Sequence, residues 1–178
     1  MEYVIGIGQY AVSNSSDDVI KTFALGTCVG LVYYSIRKRA MAMAHVQLPV
    51  CRSMSGGDKP SRFADLAPEF LLKEMQSKHG VTAREVLISL YGGVESGIAG
   101  DMFQIGEKNL ETTKSTLNRL GLLYKEVDTG GQESRTLVGH TSTGIVEVIK
   151  RPMAVRGLGP AGRTGPKGPA GRIGGFRA

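Results

Sequence analysis

The segment Leu25-Gly26-Thr27-Cys28-Val29-Gly30 sets a thiol between two glycines. Gly26 permits a tight turn just before it. Gly30 removes a side chain two positions on, on the same strand face, so open space is expected above the sulfur. A thiol so placed is a candidate nucleophile, and it needs a base to take its proton. The chain offers His45, His79 and His140. Strand geometry separates them. If 28–35 and 40–48 form a hairpin about Arg37-Lys38, opposed residues have numbers that sum to about 73 to 77. A sum of about 73 sets His45 opposite Cys28, and about 75 sets it diagonal on the same face; an even sum sends the two to opposite faces. His79 falls at the end of a helix and His140 in a turn, where a solvated imidazole needs no further explanation. His45, inside Met41-Ala42-Met43-Ala44-His45-Val46, also fits as a hydrogen-bonded core residue. A Cys-His pair needs a third group to fix the imidazole tautomer. Thr22, at the end of the preceding strand, is near enough to supply a hydroxyl or a carbonyl, although it equally suits an ordinary β-branched strand position.

The elements that must hold these residues follow from periodicity. Strands are expected over 3–12, 19–24, 28–35 and 40–48, as an early meander separated by Asn14-Ser15-Ser16-Asp17, Gly26 and Arg37-Lys38-Arg39. Phe63, Leu66, Ala67, Phe70, Leu71 and Met75 repeat with a helical period, and Gly80 stands where that helix would end. Pro68 either starts this helix or kinks it. A strand over 85–91 closes on Gly92-Gly93, a second helix runs over 106–120 with Gly121 as its stop, and 122–128 returns as a strand. The segments 134–139 and 144–149 form a hairpin about Thr141-Ser142-Thr143-Gly144. Many strands with two helices give an α+β domain whose helices cover a sheet layer.

Composition narrows the function classes. With 178 residues and 41% hydrophobic content the chain suffices for one core, not two large domains. No run of 18 apolar residues occurs and the start lacks a signal peptide's pattern, so a cytoplasmic protein without membrane insertion is expected. Cys28 and Cys51 then read as thiols. The net charge of +6 resides in one place: six of the 22 basic residues and none of the 16 acidic ones lie in 151–178, leaving the first 150 residues balanced. A neutral body without Trp offers no phosphate-binding face and no stacking platform, which argues against nucleic acid as a partner. From Gly159 the tail reads GPA-GRT-GPK-GPA-GRI-G, five Gly-X-Y triplets with little to bury. A body over 1–150 and a basic, disordered, collagen-like tail over 151–178 are therefore expected.

Several short motifs occur in one register along the body. They are Gly6-Ile7-Gly8-Gln9-Tyr10-Ala11-Val12, Leu25-Gly26-Thr27-Cys28-Val29, Met43-Ala44-His45-Val46-Gln47-Leu48-Pro49, Lys59-Pro60 with Arg62-Phe63-Ala64-Asp65, Gly92-Gly93, Ile105-Gly106 with Asn109, and Asp128-Thr129-Gly130-Gly131. Through them the chain resembles the chemoreceptor glutamine deamidase family, CheD. The resemblance implies Cys28 as nucleophile, His45 as general base and acid, and Thr22 as the orienting member, with Thr27 and Gly26 supporting the site. It implies β-sandwich-like sheet layers flanked by helices, similar to deamidating toxins. Its substrates would be glutamines of methyl-accepting chemotaxis receptors, and a CheC-type phosphatase would compete with receptor for the protein. No metal or organic cofactor is called for. Two passages depart from the family pattern, Val94–Phe103 and Gln132–Thr136, and bear on substrate or partner contacts. The collagen-like tail lies outside that pattern.

Three other classes compete with a thiol-dependent deamidase. A non-catalytic binding module regulating a CheC-type phosphatase would fold and bind without releasing ammonia. Another cysteine hydrolase would share Cys28 and His45 but cleave main-chain amides or small molecules. A redox or metal role would need Cys28 and Cys51 to meet, and neither a Cys-x-x-Cys pair nor clustered ligands supports it.

Overall fold

A computed structural model describes residues 1–95 and 104–153. The collagen-like repeats expected in the tail and most of the divergent passage after Val94 lie outside the described residues. Among the described residues, nine strands form two sheets. Strands β1 (Glu2–Ile5), β3 (Val19–Leu25), β8 (Glu133–His140) and β9 (Val146–Pro152) make one sheet in the order β1-β3-β8-β9. The other is β2-β5-β4-β6-β7, from β2 (Tyr10–Ser13), β4 (Val29–Ser35), β5 (Ala40–Val46), β6 (Leu87–Gly92) and β7 (Tyr124–Thr129). Helices α1 (Ala67–His79) and α2 (Ile105–Arg119) cover the outer face of the five-stranded sheet. The α+β class and layered architecture expected from sequence are both present.

The middle layer explains its own composition. Strands β4 and β5 are buried along their whole length, as strands covered on both faces must be. In β5 the alternation sorts by size. Ala40, Ala42, Ala44 and Val46 pack toward the helices with Leu71 and Met75 of α1, whereas Met41 and Met43 fill the space between the sheets with Ile20 and Leu137. Small residues on one face let a helix approach, and flexible methionines fill the uneven gap on the other.

Three sequence expectations need correction. Residues 3–12 are two strands in different sheets, because Gly6-Ile7-Gly8-Gln9 turns the chain between them. Gly8 takes a φ of 75°, Gln9 N–H donates to the Gly6 carbonyl at 3.0 Å, and Gly6 N–H donates to Gln9 Oε1 at 2.8 Å. The early strands are consequently no meander: β1 pairs in parallel with β3, and β2 pairs with β5 in the other sheet. Nor is there open space at Gly30. A Cβ there would lie 2.6 Å from Leu137 Cδ1 and 2.8 Å from Leu25 Cδ1, so the missing side chain makes room for the facing sheet. Pro68 lies in the first turn of α1 and starts that helix without kinking it, and Gly80 ends it in the left-handed conformation.

Gly30→Ala should therefore overpack the layer between the sheets and lower stability by about 1–3 kcal/mol. Gly56→Ala, at a position with nothing within 4 Å, should leave it unchanged. Urea denaturation of both variants checks this; equal midpoints would contradict the packing described.

Candidate active site

The strand that begins the site is built irregularly. In β3, Thr22 pairs with Leu137 of β8 but Leu25 pairs with Arg135, so the ladder takes up an extra residue between them. Ala24 has a φ of 54° within this bulge, and Phe23 and Ala24 face outward. Strand alternation would send Thr22 and Leu25 to opposite faces. The bulge turns both inward. The chain then crosses from the four-stranded sheet to the five-stranded one through Gly26 and Thr27, with Cys28 just before β4.

His45 occupies the same space from the opposite layer. Its strand pairs with β4 in the register Gly30↔His45 and Val29↔Val46, a sum of 75, one of the two sums that place Cys28 and His45 on one face. Cys28 thus stands diagonal to His45 on the face between the sheets. The imidazole is 2% exposed. Its Nδ1 lies 2.8 Å from Thr22 Oγ1, and that hydroxyl is also 3.0 Å from the Ile5 carbonyl. The Thr22 hydroxyl has one proton, and the Ile5 oxygen can only accept. Both contacts are hydrogen bonds together only when Thr22 donates to Ile5 and accepts from a protonated Nδ1. The lone pair is then on Nε2, which is buried and, among the described residues, has no hydrogen-bond partner. Burial holds the imidazole down to about 4 and pushes the Cys28 thiol up to about 11. At neutral pH the resting pair is neutral thiol and neutral imidazole, not a thiolate–imidazolium ion pair.

The turn carrying Cys28 is gripped by the segment after β6. Gly93 N–H donates to the Cys28 carbonyl at 2.9 Å, and Val94 N–H to the Gly26 carbonyl at 3.0 Å. Gly92, at a φ of 84°, abuts the Cys28 carbonyl so closely that a Cβ there would collide with it. The Thr27 carbonyl accepts from Asn109 Nδ2 of α2 at 2.9 Å. Gly26 lies under Met153, whose sulfur and methyl would be 3.4 Å from a Cβ on that glycine. Cys28 is 9% exposed, in a cluster with Leu25, Tyr91 and Leu137. Sequence reasoning gave Asn109 no role of its own. The signal available was a polar residue on the inward face of a helix.

The remaining candidates lie elsewhere. His79 ends α1, and His140 Nε2 lies 3.0 Å from Glu147 Oε1 on the four-stranded sheet. Cys51 is a free thiol whose N–H donates to the Asp65 carboxylate. Among the described residues no three His, Cys, Asp or Glu side chains come together as a metal site, and no helix is long and apolar enough to cross a membrane.

Comparison with known proteins shows the family to which the chain is similar. A family model described as CheD chemotactic sensory transduction matches residues 47–150. The chain is 34% identical over 152 residues, 84% of its length and 93% of the other's, to a protein of Thermococcus kodakarensis named "Probable chemoreceptor glutamine deamidase CheD". A protein of Syntrophotalea carbinolica with the same name is 35% identical over 151 residues, 83% of this chain and 93% of that one. Among solved structures, Bacillus licheniformis hypothetical protein YfiH superposes with a TM-score of 0.44 at 9% identity, over 67% of this chain and 49% of that one.

The buried imidazole has a consequence for stability. Between about pH 6.5 and about 4 the unfolded chain protonates His45 while the folded one does not, so stability falls as pH drops through that window. The contribution is roughly 3 kcal/mol over the whole window. His45→Gln should show a correspondingly shallower acid limb in denaturation free energies measured from pH 7 to pH 4. Identical limbs would mean that the imidazole titrates normally.

Proposed function

The chain belongs to the CheD family, and from that premise we propose that it hydrolyses the side-chain amide of glutamines in methyl-accepting chemotaxis receptors, giving glutamate and ammonia. The observation that carries the chemistry is the clamped imidazole. With Nδ1–H held by Thr22, His45 presents Nε2 as a base on the face it shares with Cys28. The names and extent of the relatives support the substrate class.

In the proposed reaction, Nε2 takes the Cys28 proton as the sulfur attacks the amide carbon of the substrate. Because both groups rest neutral, proton transfer accompanies the attack. The tetrahedral intermediate carries its negative charge on the former carbonyl oxygen, where backbone N–H groups around Thr27 and Cys28 stabilise it. The imidazolium returns its proton to the nitrogen, the C–N bond breaks and ammonia leaves, with a thioester remaining on Cys28. Water attacks the thioester as His45 removes its proton. The thiolate departs, is reprotonated, and the substrate carries glutamate. Thr22 acts throughout by keeping Nδ1 protonated and the ring in place. We assign this chemistry to the body, acting in the cytoplasm and carried a little past 150, because β9 runs to Pro152 and Met153 lies against Gly26, with the collagen-like repeats as an appendage.

Incubation of a receptor cytoplasmic fragment with the protein should add about one dalton per modified glutamine in mass spectra, and release ammonia. Cys28→Ala should abolish the gain while leaving denaturation nearly unchanged. Thr22→Val, which cannot accept from Nδ1, should lower the rate about tenfold to a hundredfold. A fully active Cys28→Ala protein overturns the thiol mechanism. No gain with several receptor fragments overturns the deamidase reading and leaves the phosphatase-binding module.

A further inference from the structure

Asn109 is fully buried in α2, yet it is polar and its Oδ1 has no partner among the described residues. A leucine would fill such a site without leaving an unpaired acceptor. The two protons on its Nδ2 account for the amide. One goes to the Thr27 carbonyl at 2.9 Å and the other to the Gln47 carbonyl at 2.8 Å. Continuing the register of β4 and β5 by one step sets Cys28 opposite Gln47, so Asn109 bridges the two strands at the end that carries Cys28 and His45. The helix comes close enough because Gly106, one turn earlier, has no Cβ to collide with the Val94 carbonyl. Thr113 Oγ1 donates to the Asn109 carbonyl at 2.8 Å from the following turn.

The Thr27 carbonyl belongs to the same peptide unit as the Cys28 N–H. That unit is planar and trans, so its C=O and N–H point in opposite directions. Holding the carbonyl against α2 fixes the N–H on the other side. Among the described residues no backbone carbonyl accepts the Cys28 N–H, while the Gly26, Thr27 and Cys28 carbonyls are all engaged. The amide of the nucleophile itself is well placed to meet an oxyanion formed on the carbon its own sulfur attacks.

We propose that Asn109 is a positioning residue that aims the Cys28 N–H at the oxyanion of the tetrahedral intermediate. The inference rests on the deamidase reading and adds to it how α2 serves the reaction. Removing one oxyanion-hole donor generally costs two to three orders of magnitude in rate, and misdirecting one costs somewhat less.

The test measures three quantities on the full chain for wild type, Asn109→Asp and Asn109→Ser: kcat and KM for ammonia release from a receptor fragment, the rate of inactivation by iodoacetamide, and Tm. Alkylation forms no oxyanion, so it reports on the thiol and His45 alone. We expect kcat to fall about tenfold to a hundredfold in both variants, with KM and the alkylation rate within about twofold of wild type. Asn109→Ser guards against misfolding caused by a buried carboxylate. Unchanged kcat in a folded variant overturns the proposal, and so does a parallel fall in kcat and alkylation, which would make Asn109 a general support of the turn. A wild-type protein that releases no ammonia from any receptor fragment overturns the deamidase reading, and the proposal falls with it.

Discussion

The hydrogen bond between Thr22 and His45 joins the two sheets, and much of the architecture serves to make it. Its direction depends on a third strand, because the Thr22 hydroxyl faces Nδ1 as an acceptor when its own proton is directed elsewhere. The Ile5 carbonyl accepts that proton, and Ile5 is the residue registered against Thr22 in the parallel pairing of β1 with β3. The backbone of His45 is held from the same region: its N–H donates to the Gln9 carbonyl and its carbonyl accepts from Gly8 N–H. The Gly6–Gln9 turn therefore serves both sheets. It ends the strand that fixes the tautomer and starts the one that pairs with β5.

Burial sets the terms on which the pair can react. A thiolate and an imidazolium between the sheets would each lose hydration, and the apolar cluster of Leu25, Tyr91 and Leu137 returns little of it. The resting state avoids both charges. In the proposed reaction the difficulty moves to the moment of attack, when charge develops on the substrate oxygen and on the imidazole together. Fixed dipoles help most at that point, because they cost no reorganisation as the charge appears. The turn around Cys28 has this character, with three successive carbonyls engaged by Val94, Asn109 and Gly93.

How much of this was legible in the sequence depended on whether the determining contact was local. The pairing of Cys28 with His45 could be narrowed to two registers because one short hairpin joins their strands, and period-two alternation does the rest. The division of 3–12 between two sheets was not legible from β propensity: a strand-like run looks the same whether its neighbours lie in one sheet or in two. The bulge after Thr22 is similar. Phe23 and Ala24 carry no turn signature, and only the pairing of β3 with β8 shows that an extra residue is absorbed there. Gly30 misled for a related reason: a missing side chain signals close approach, but not what approaches. Asn109 is the hardest case, since its partners lie 82 and 62 residues away.

The depth of the site bears on what it can accept, and separates a deamidase from a cysteine protease that would use the same residues. Thr22 is fully buried, His45 nearly so, and Cys28 presents only a small fraction of its surface. A main-chain amide is flanked by Cα atoms and side chains on both sides of the reacting carbon. Bringing it to a sulfur with so little exposed surface demands more room around the reacting carbon than a terminal amide does. A glutamine amide stands at the end of a flexible methylene chain with nothing beyond it. It can reach a recessed thiol while its own backbone stays in a helix outside. On the proposed reading, the contacts that hold the Cys28 turn also favour a terminal amide over a main-chain one, so catalysis and selectivity would share one structural cause.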